Sequence, residues 1–194
     1  FILTFNDEVQ VRQDFSKDQK LLEARLKQVV AEGRTALWDA ILAAVEHSHR
    51  GSHDKKALLV VTDGDDNSSE HTFREVLELI RQEKVAVYVV GIFGMGNDYT
   101  PRWGEEEFRR RLIELAEATG GRAYFPRTKK ECEEACIAVA EELRQQYALG
   151  YYPQPELVRD GSWHGVRVQL QLPGELSDKG LAPRTRAGYF APRE

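Results

Sequence analysis

Residues 56–69 read KALLVVTDGDDNSS. Its first seven residues form an apolar run without alternation, the pattern of a strand covered on both faces. The run stops abruptly in DGDDNSS, a loop rich in acids and helix-capping residues. Residues 85–92, VAVYVVGI, repeat the buried-strand pattern. Between the two runs, Phe73, Val76, Leu77 and Ile80 fall at helical spacing, which predicts a helix over about 70–83. A buried strand, a helix and a second buried strand make a crossover unit with parallel strands.

The same rhythm extends in both directions. Upstream, FILTF and EVQVRQDF flank the turn formers Asn6 and Asp7, so 1–15 reads as a hairpin with Val9, Val11 and Phe15 on one side. Ser16 is placed to cap a helix of 17–30 that buries Leu22, Leu26 and Val29. Gly33 ends that segment, and Thr35 stands at the start of a second helix with Leu37, Ile41, Ala44 and Val45 on one face. Downstream, the loop 92–104 holds Gly94, Gly96, Pro101 and Gly104. A helix over 105–118, a short strand RAYF and a charged helix over 128–146 follow. After Tyr147 the helices cease. Val166, Val168, Leu170 and Leu172 alternate strictly, and Asp160-Gly161 is a turn. The expected fold is therefore α/β, a doubly wound, mostly parallel sheet flanked by helices, with an antiparallel β extension. The expected division is 1–147 for the domain and 148–194 for an extension packed on it, with Trp163 and the tyrosines against helix 128–146 and the strands on an edge of the main sheet.

Composition narrows the function. The 194 residues carry a net charge of -5, which speaks against a basic nucleic-acid footprint. No apolar run approaches the roughly 20 residues of a membrane-spanning helix. Cys132 and Cys136, four apart on one helix, read as small core residues, since their spacing suits a disulfide poorly and no second pair completes a zinc site. His47, His49 and His53 read as a solvated loop below the sheet. Gly91, Gly94 and Gly96 reverse the order of a dinucleotide fingerprint. Arg109, Arg110 and Arg111 read as a solvated helix face behind Glu105, Glu106 and Glu107. No nucleophile elbow or Cys/His pair is present, so the chain reads as non-catalytic.

The residues left are those in loops that follow buried strands, where open α/β sheets bind ligands. Asp63 leaves the strand directly in T-D-G, and Thr35 lies in G-R-T at a helix start. A carboxylate and a hydroxyl converging there would suit a hard cation with oxygen ligands. Asp63, Asp65 and Asn67 alternate as in a calcium loop, but Ser68 and Arg74 stand where an EF-hand needs Gly and Glu. Asp65 and Asp66 read as solvated acids near the site. Asp39 falls in the first turn of its helix, where it favours the dipole.

FILTFND, GRTALWDAI, ALLVVTDGDDNSS, VAVYVVGI, LAEATGGRAYFP and ELRQQYALGYYP, in that order, resemble the von Willebrand factor type A domain, and more narrowly a bacterial subfamily of related proteins. The resemblance covers about 1–147. It implies a metal-ion-dependent adhesion site at the sheet top that binds Mg²⁺, or Mn²⁺ or Ca²⁺, and bridges to a carboxylate of a protein partner. In that family the ligands come from D-x-S-x-S in a first loop, a Thr in a second and an Asp in a third. By resemblance Thr35 is that Thr and Asp63 that Asp. D-x-S-x-S is absent from the 194 residues. FILTF matches the family's second strand, so the first strand and its helix are expected upstream of Phe1, and metal binding by this chain alone is expected to be weak or absent. The resemblance further implies an exported or cell-envelope location. The alternative reading is a metal-independent scaffold domain of a larger protein or complex.

Overall fold

The computed structural model describes residues 1–30, 32–94, 104–153, 160–171 and 183–192. In chain order its elements are β1 (Ile2–Phe5), β2 (Val9–Gln13), α1 (Gln19–Leu26), α2 (Leu37–Ser48), β3 (Lys56–Thr62), α3 (Phe73–Ile80), β4 (Val85–Gly91), α4 (Glu105–Ala118), β5 (Ala123–Tyr124), α5 (Lys129–Arg144), β6 (Trp163–Gly165) and β7 (Gly188–Phe190). The two apolar runs lie side by side, β3 parallel to β4 in register from Lys56↔Val85 to Thr62↔Gly91. β5 adds in parallel to the far side of β4, giving the order β3-β4-β5. β1 and β2 form a separate antiparallel hairpin.

The core lies between the sheet and the layer formed by α2, α3 and α4. Leu37, Ile41, Val76, Ile80, Val87, Val89, Phe108, Leu112 and Leu115 are essentially inaccessible. On the opposite face α5 packs on β4, where the Tyr88 hydroxyl donates to Glu142 at 2.8 Å. Helices thus cover β4 on both faces, and its residues are buried from Val87 to Gly91. Glycine is required where this packing is tightest, because a Cβ on Gly121 would lie 2.0 Å from the Val87 carbonyl oxygen.

Several expectations change. β3 is covered on one face only: Leu58, Val60 and Thr62 are buried, whereas Ala57, Leu59 and Val61 face outward. α1 is shorter than 17–30 and buries no residue, because its apolar side borders an open cleft. Its cap is Asp18, whose carboxylate accepts from Lys20 and Leu21; Ser16 accepts from the Asp18 amide instead. On α5 the buried positions are Ala135 and Val139, so Cys136 is exposed and Cys132 half-buried, not core residues. His47 is buried in α2, stacked on Phe15 and bonded to Asp14 at 2.9 Å, not in a solvated loop. Arg109 is half-buried, paired with Glu105 and lying over Phe93 and Phe125.

The tail departs furthest from expectation. β6 and β7 pair antiparallel with each other as a sheet of their own, and not with an edge of the main sheet. Residues 166–171 are not a strand, and Leu172, Pro155, Gly96 and Pro101 lie outside the described residues. The hairpin meets the ends of α3 and α4. The Ala187 amide donates to Ala118 at 3.4 Å, and Arg186 to the Arg81 carbonyl at 2.8 Å. Trp163 accordingly packs on Phe190 and under the Arg81 guanidinium, not against α5. A pair between Arg184 and Glu142 joins the tail to α5.

Candidate functional site at the carboxyl end of the sheet

Ala36, Leu37 and Trp38 open α2 without a polar side chain of their own to serve its first amides. The N-cap is Ala36, and it makes no side-chain bond. The free amides of that first turn need acceptors from elsewhere. They find them in the loop after β3. Asp66 accepts from Leu37 at 2.8 Å and from Trp38 at 3.3 Å. Ser69 accepts from Trp38 at 3.0 Å and from Asp39 at 3.2 Å, and donates its own proton to Asp66. Asp39 returns the contact, accepting from the amides of Glu70 and His71 at 2.8 and 3.1 Å and from the His71 ring at 2.7 Å. The two loops are therefore clamped reciprocally. Asp66 is a cap for α2, not a solvated acid.

The clamp presents Thr35. Its amide donates to Asn67 Oδ1 at 2.9 Å, and its carbonyl accepts from the Asn67 amide at 3.0 Å. Arg34 reaches the Asn67 carbonyl at 2.7 Å, and the Ala36 amide donates to the Asn6 carbonyl at 2.8 Å. Gly33 makes the turn possible. Its φ is +87°, and a Cβ there would lie 2.5 Å from Asp7 Oδ2, the atom that accepts the Arg34 amide. The Thr35 backbone is thus held on three sides. Its hydroxyl engages no partner among the described residues, and it lies 4.0 Å from where a Cβ on Gly64 would sit.

Asp63 leaves β3 beside it. Thr62 is buried and donates its hydroxyl to the Gly64 carbonyl at 3.0 Å, which turns the chain sharply after the strand. Asp63 is exposed, and its carboxylate accepts no hydrogen bond from the described residues. Thr35 and Asp63 border the same cleft. Burial pushes the carboxyl of the adjacent Asp65 up, opposed by the Asp66 amide and by Arg111.

Thr35 and Asp63 therefore border one cleft, each with a side-chain oxygen that engages no partner among the described residues. Asp66, Ser69 and Asp39 were not read as the clamp that positions them. The signal was the missing cap: an apolar A-L-W at a helix start calls for acceptors elsewhere, and D-N-S-S supplies them. Both free groups are hard oxygen donors, the type a hard cation takes, but two oxygens fall short of the six that Mg²⁺ requires.

Comparison with known proteins agrees with this fold. The family model of the von Willebrand factor type A domain matches residues 2–135. No curated protein matches the chain. Among solved structures, the conserved hypothetical protein BatB from Bacteroides thetaiotaomicron is similar at 17% identity and TM-score 0.56, over 74% of this chain and 78% of that one. An aerotolerance-related membrane protein from Bacteroides fragilis is similar at 16% identity and TM-score 0.55, over 74% and 78%. A von Willebrand factor type A protein from Catenulispora acidiphila is similar at 16% identity and TM-score 0.56, over 73% of this chain and 33% of that one. At these identities the likeness is one of fold.

Proposed function

The chain belongs to the von Willebrand factor type A domain family, and from that premise we propose that it is a non-catalytic protein-binding module that captures a carboxylate of its partner through a divalent cation. The observation that supports this is the pair of free oxygens at the sheet's carboxyl end. Asp66, Ser69, Asn67 and Asp39 are all committed to backbone amides, yet the hydroxyl of Thr35 and the carboxylate of Asp63 are left without partners among the described residues. Thr35 and Asp63 would hold Mg²⁺ or Mn²⁺, and the cation would supply a Lewis-acidic position for a carboxylate. The family's remaining ligands belong to a D-x-S-x-S loop, and the 194 residues taken alone supply only these two, so weak metal binding is expected of them by themselves. A cell-envelope location fits the membrane protein among the structural neighbours.

Mn²⁺ titration followed by paramagnetic broadening of amide signals tests the reading. Weak binding is expected to broaden Thr35 and Gly64 first and to vanish in Asp63→Ala and Thr35→Ala. Broadening centred elsewhere, or unchanged by Asp63→Ala, overturns the site. Binding of the partner to both variants as to the parent would leave the metal-independent scaffold as the function.

A further inference from the structure

The tail hairpin has two faces of different chemistry. β6 and β7 set Trp163 opposite Phe190 and His164 opposite Tyr189. Alternate residues of an extended chain share a face. Trp163 and Phe190 fill one face, packed on each other under Arg81. Asp160, Ser162 and His164 alternate along the other, and Tyr189 joins them across from His164, their rings 5.5 Å apart. Tyr151 meets Tyr189 edge to face at 6.3 Å. A carboxylate, a hydroxyl, an imidazole and a pair of phenols are thus gathered at the opposite end of the sheet from Thr35 and Asp63, because the hairpin is bonded to the C-terminal ends of α3 and α4.

These groups do not form a hydrolytic triad. Asp160 Oδ1 and Ser162 Oγ meet the same ring nitrogen, His164 Nε2, at 2.9 and 3.1 Å, and Asp160 Oδ2 accepts the serine proton at 2.7 Å. A serine nucleophile and its orienting acid need different nitrogens of the imidazole. The contacts fix the carboxylate instead. The Ser162 amide at 2.8 Å, the Ser162 hydroxyl and His164 hold the Asp160 pKa down at about 2, so it is ionised at neutral pH. The 2.9 Å between Asp160 Oδ1 and His164 Nε2 is also the separation of adjacent donors around an ion bound at about 2.0–2.1 Å.

We infer that this face of the hairpin is a ferric-ion site, with Asp160 Oδ1, His164 Nε2 and the phenolate oxygens of Tyr151 and Tyr189 as its ligands. Charge selects the ion. The carboxylate and the pair of phenolates together neutralise Fe³⁺ and would overcharge a divalent cation. A phenol ordinarily ionises near pH 10, and burial, then the Tyr151 phenol and the Asp160 charge, push the pKa of Tyr189 higher. At neutral pH only a strongly Lewis-acidic ion displaces such protons. On binding, each phenolic proton passes to solvent, the imidazole keeps its own on Nδ1, and no electron is transferred. The Arg186 guanidinium, bonded to the carbonyls of Gly188 and Arg81 at 2.7 and 2.8 Å, adds positive charge beside Tyr151, which favours its phenolate. Ser162 keeps its bond to Asp160 Oδ2 and so orients the carboxylate. An octahedral shell stays open on its remaining side to water or a small oxyanion. None of this depends on whether Thr35 and Asp63 hold a cation.

The probe is ferric nitrilotriacetate, titrated into the 194-residue protein at neutral pH. A phenolate-to-iron charge-transfer band in the visible is expected, saturating at one iron per chain. Tyr151→Phe and Tyr189→Phe, each of which removes a single oxygen, should each weaken and shift the band, and the double variant should abolish it. His164→Ala should weaken iron binding by about tenfold or more. Tyr152→Phe, at a fully exposed neighbour, should leave the band unchanged. Circular dichroism checks that each variant is folded. Resonance Raman excited in the band reads phenolate ring modes in the parent itself, so the ligands are tested even where a variant fails to fold. Three results overturn the inference: no band, a band without phenolate modes or surviving in the folded double variant, which would mean an adventitious ion only, or loss of the iron to equimolar Zn²⁺, which would give Asp160 and His164 to a divalent cation.

Discussion

Asp63 and Asp66 are three residues apart in one acidic loop, yet Asp66 accepts from the first amides of α2 while Asp63 engages no partner among the described residues, and truncating each reads out that difference. In Asp66→Ala, α2 loses the carboxylate that accepts from Leu37 and Trp38, residues that are 0% and 3% exposed. Loss of a helix cap costs about 0.5–2 kcal/mol. A buried amide left without a partner costs about 1–3 kcal/mol. The two overlap, and Ser69 still serves Trp38 at 3.0 Å, so the expected loss is about 2–3 kcal/mol, with a melting temperature lower by roughly 5–10 °C for a domain of this size. Asp66→Asn keeps the acceptor and loses the charge, and it should fall between. Asp63→Ala removes a carboxylate with no partner among the described residues, so its effect should stay within about 0.5 kcal/mol. Urea unfolding followed by circular dichroism measures all three. If Asp63→Ala costs as much as Asp66→Ala, Asp63 is structural and the site reading fails. If Asp66→Ala is silent, the clamp does not hold α2.

Two further outcomes follow from the polar contacts. The hydrogen bond to Asp39 raises the His71 pKa above its ordinary 6.5. Burial of Asp39 works against ionisation, but the amides of Glu70 and His71 and the imidazole outweigh it and lower its pKa below 3.8. The His71 contribution is therefore complete below pH 6.5 and lost as pH rises through the raised value, whereas that of Asp39 is complete above 3.8 and lost as pH falls. His71→Gln should flatten the decline in melting temperature above pH 6.5 and leave the acid limb in place, and an unchanged profile would show that the pair is not formed. The Tyr88 hydroxyl, buried and donating to Glu142, has its pKa pushed up to about 12. Tyr88→Phe should cost about 1 kcal/mol and remove the last-ionising tyrosine from an absorbance titration; a titration that keeps this late step would assign it to another tyrosine.

Where residues pattern by burial, the fold was legible. The runs at 56–62 and 85–91, the helical stripes of α3 and α4, and the hairpin of β1 and β2 all follow from periodicity. The exposed position of Asp63 at the sheet's carboxyl end was legible because a loop leaving a parallel strand is confined there. The clamp was not, since Asp66 and Ser69 act on amides some thirty residues away, and a capping residue looks alike whether it caps its own helix or another's. His47 falls three residues after Ala44 on the buried stripe of α2, a position that outweighs the polar look of HSHRGSH. The alternation at 166–172 describes a surface that could pair; β6 instead takes Trp163 to Gly165, where the aromatic packing lies.

The open face of β3 is a further departure. KALLVVT has the composition of a strand covered on both sides, and the structure covers one. Val61 and Val90 are register partners on neighbouring strands, with 49% and 0% exposure. Replacing valine by threonine keeps the shape and adds a hydroxyl, so the pair reads each environment directly. At Val90, under α5, the unpaired hydroxyl should cost about 1–3 kcal/mol. At Val61 the same change should be nearly neutral in the free protein, because water reaches the hydroxyl. Equal costs would mean that both faces of β3 are covered in solution.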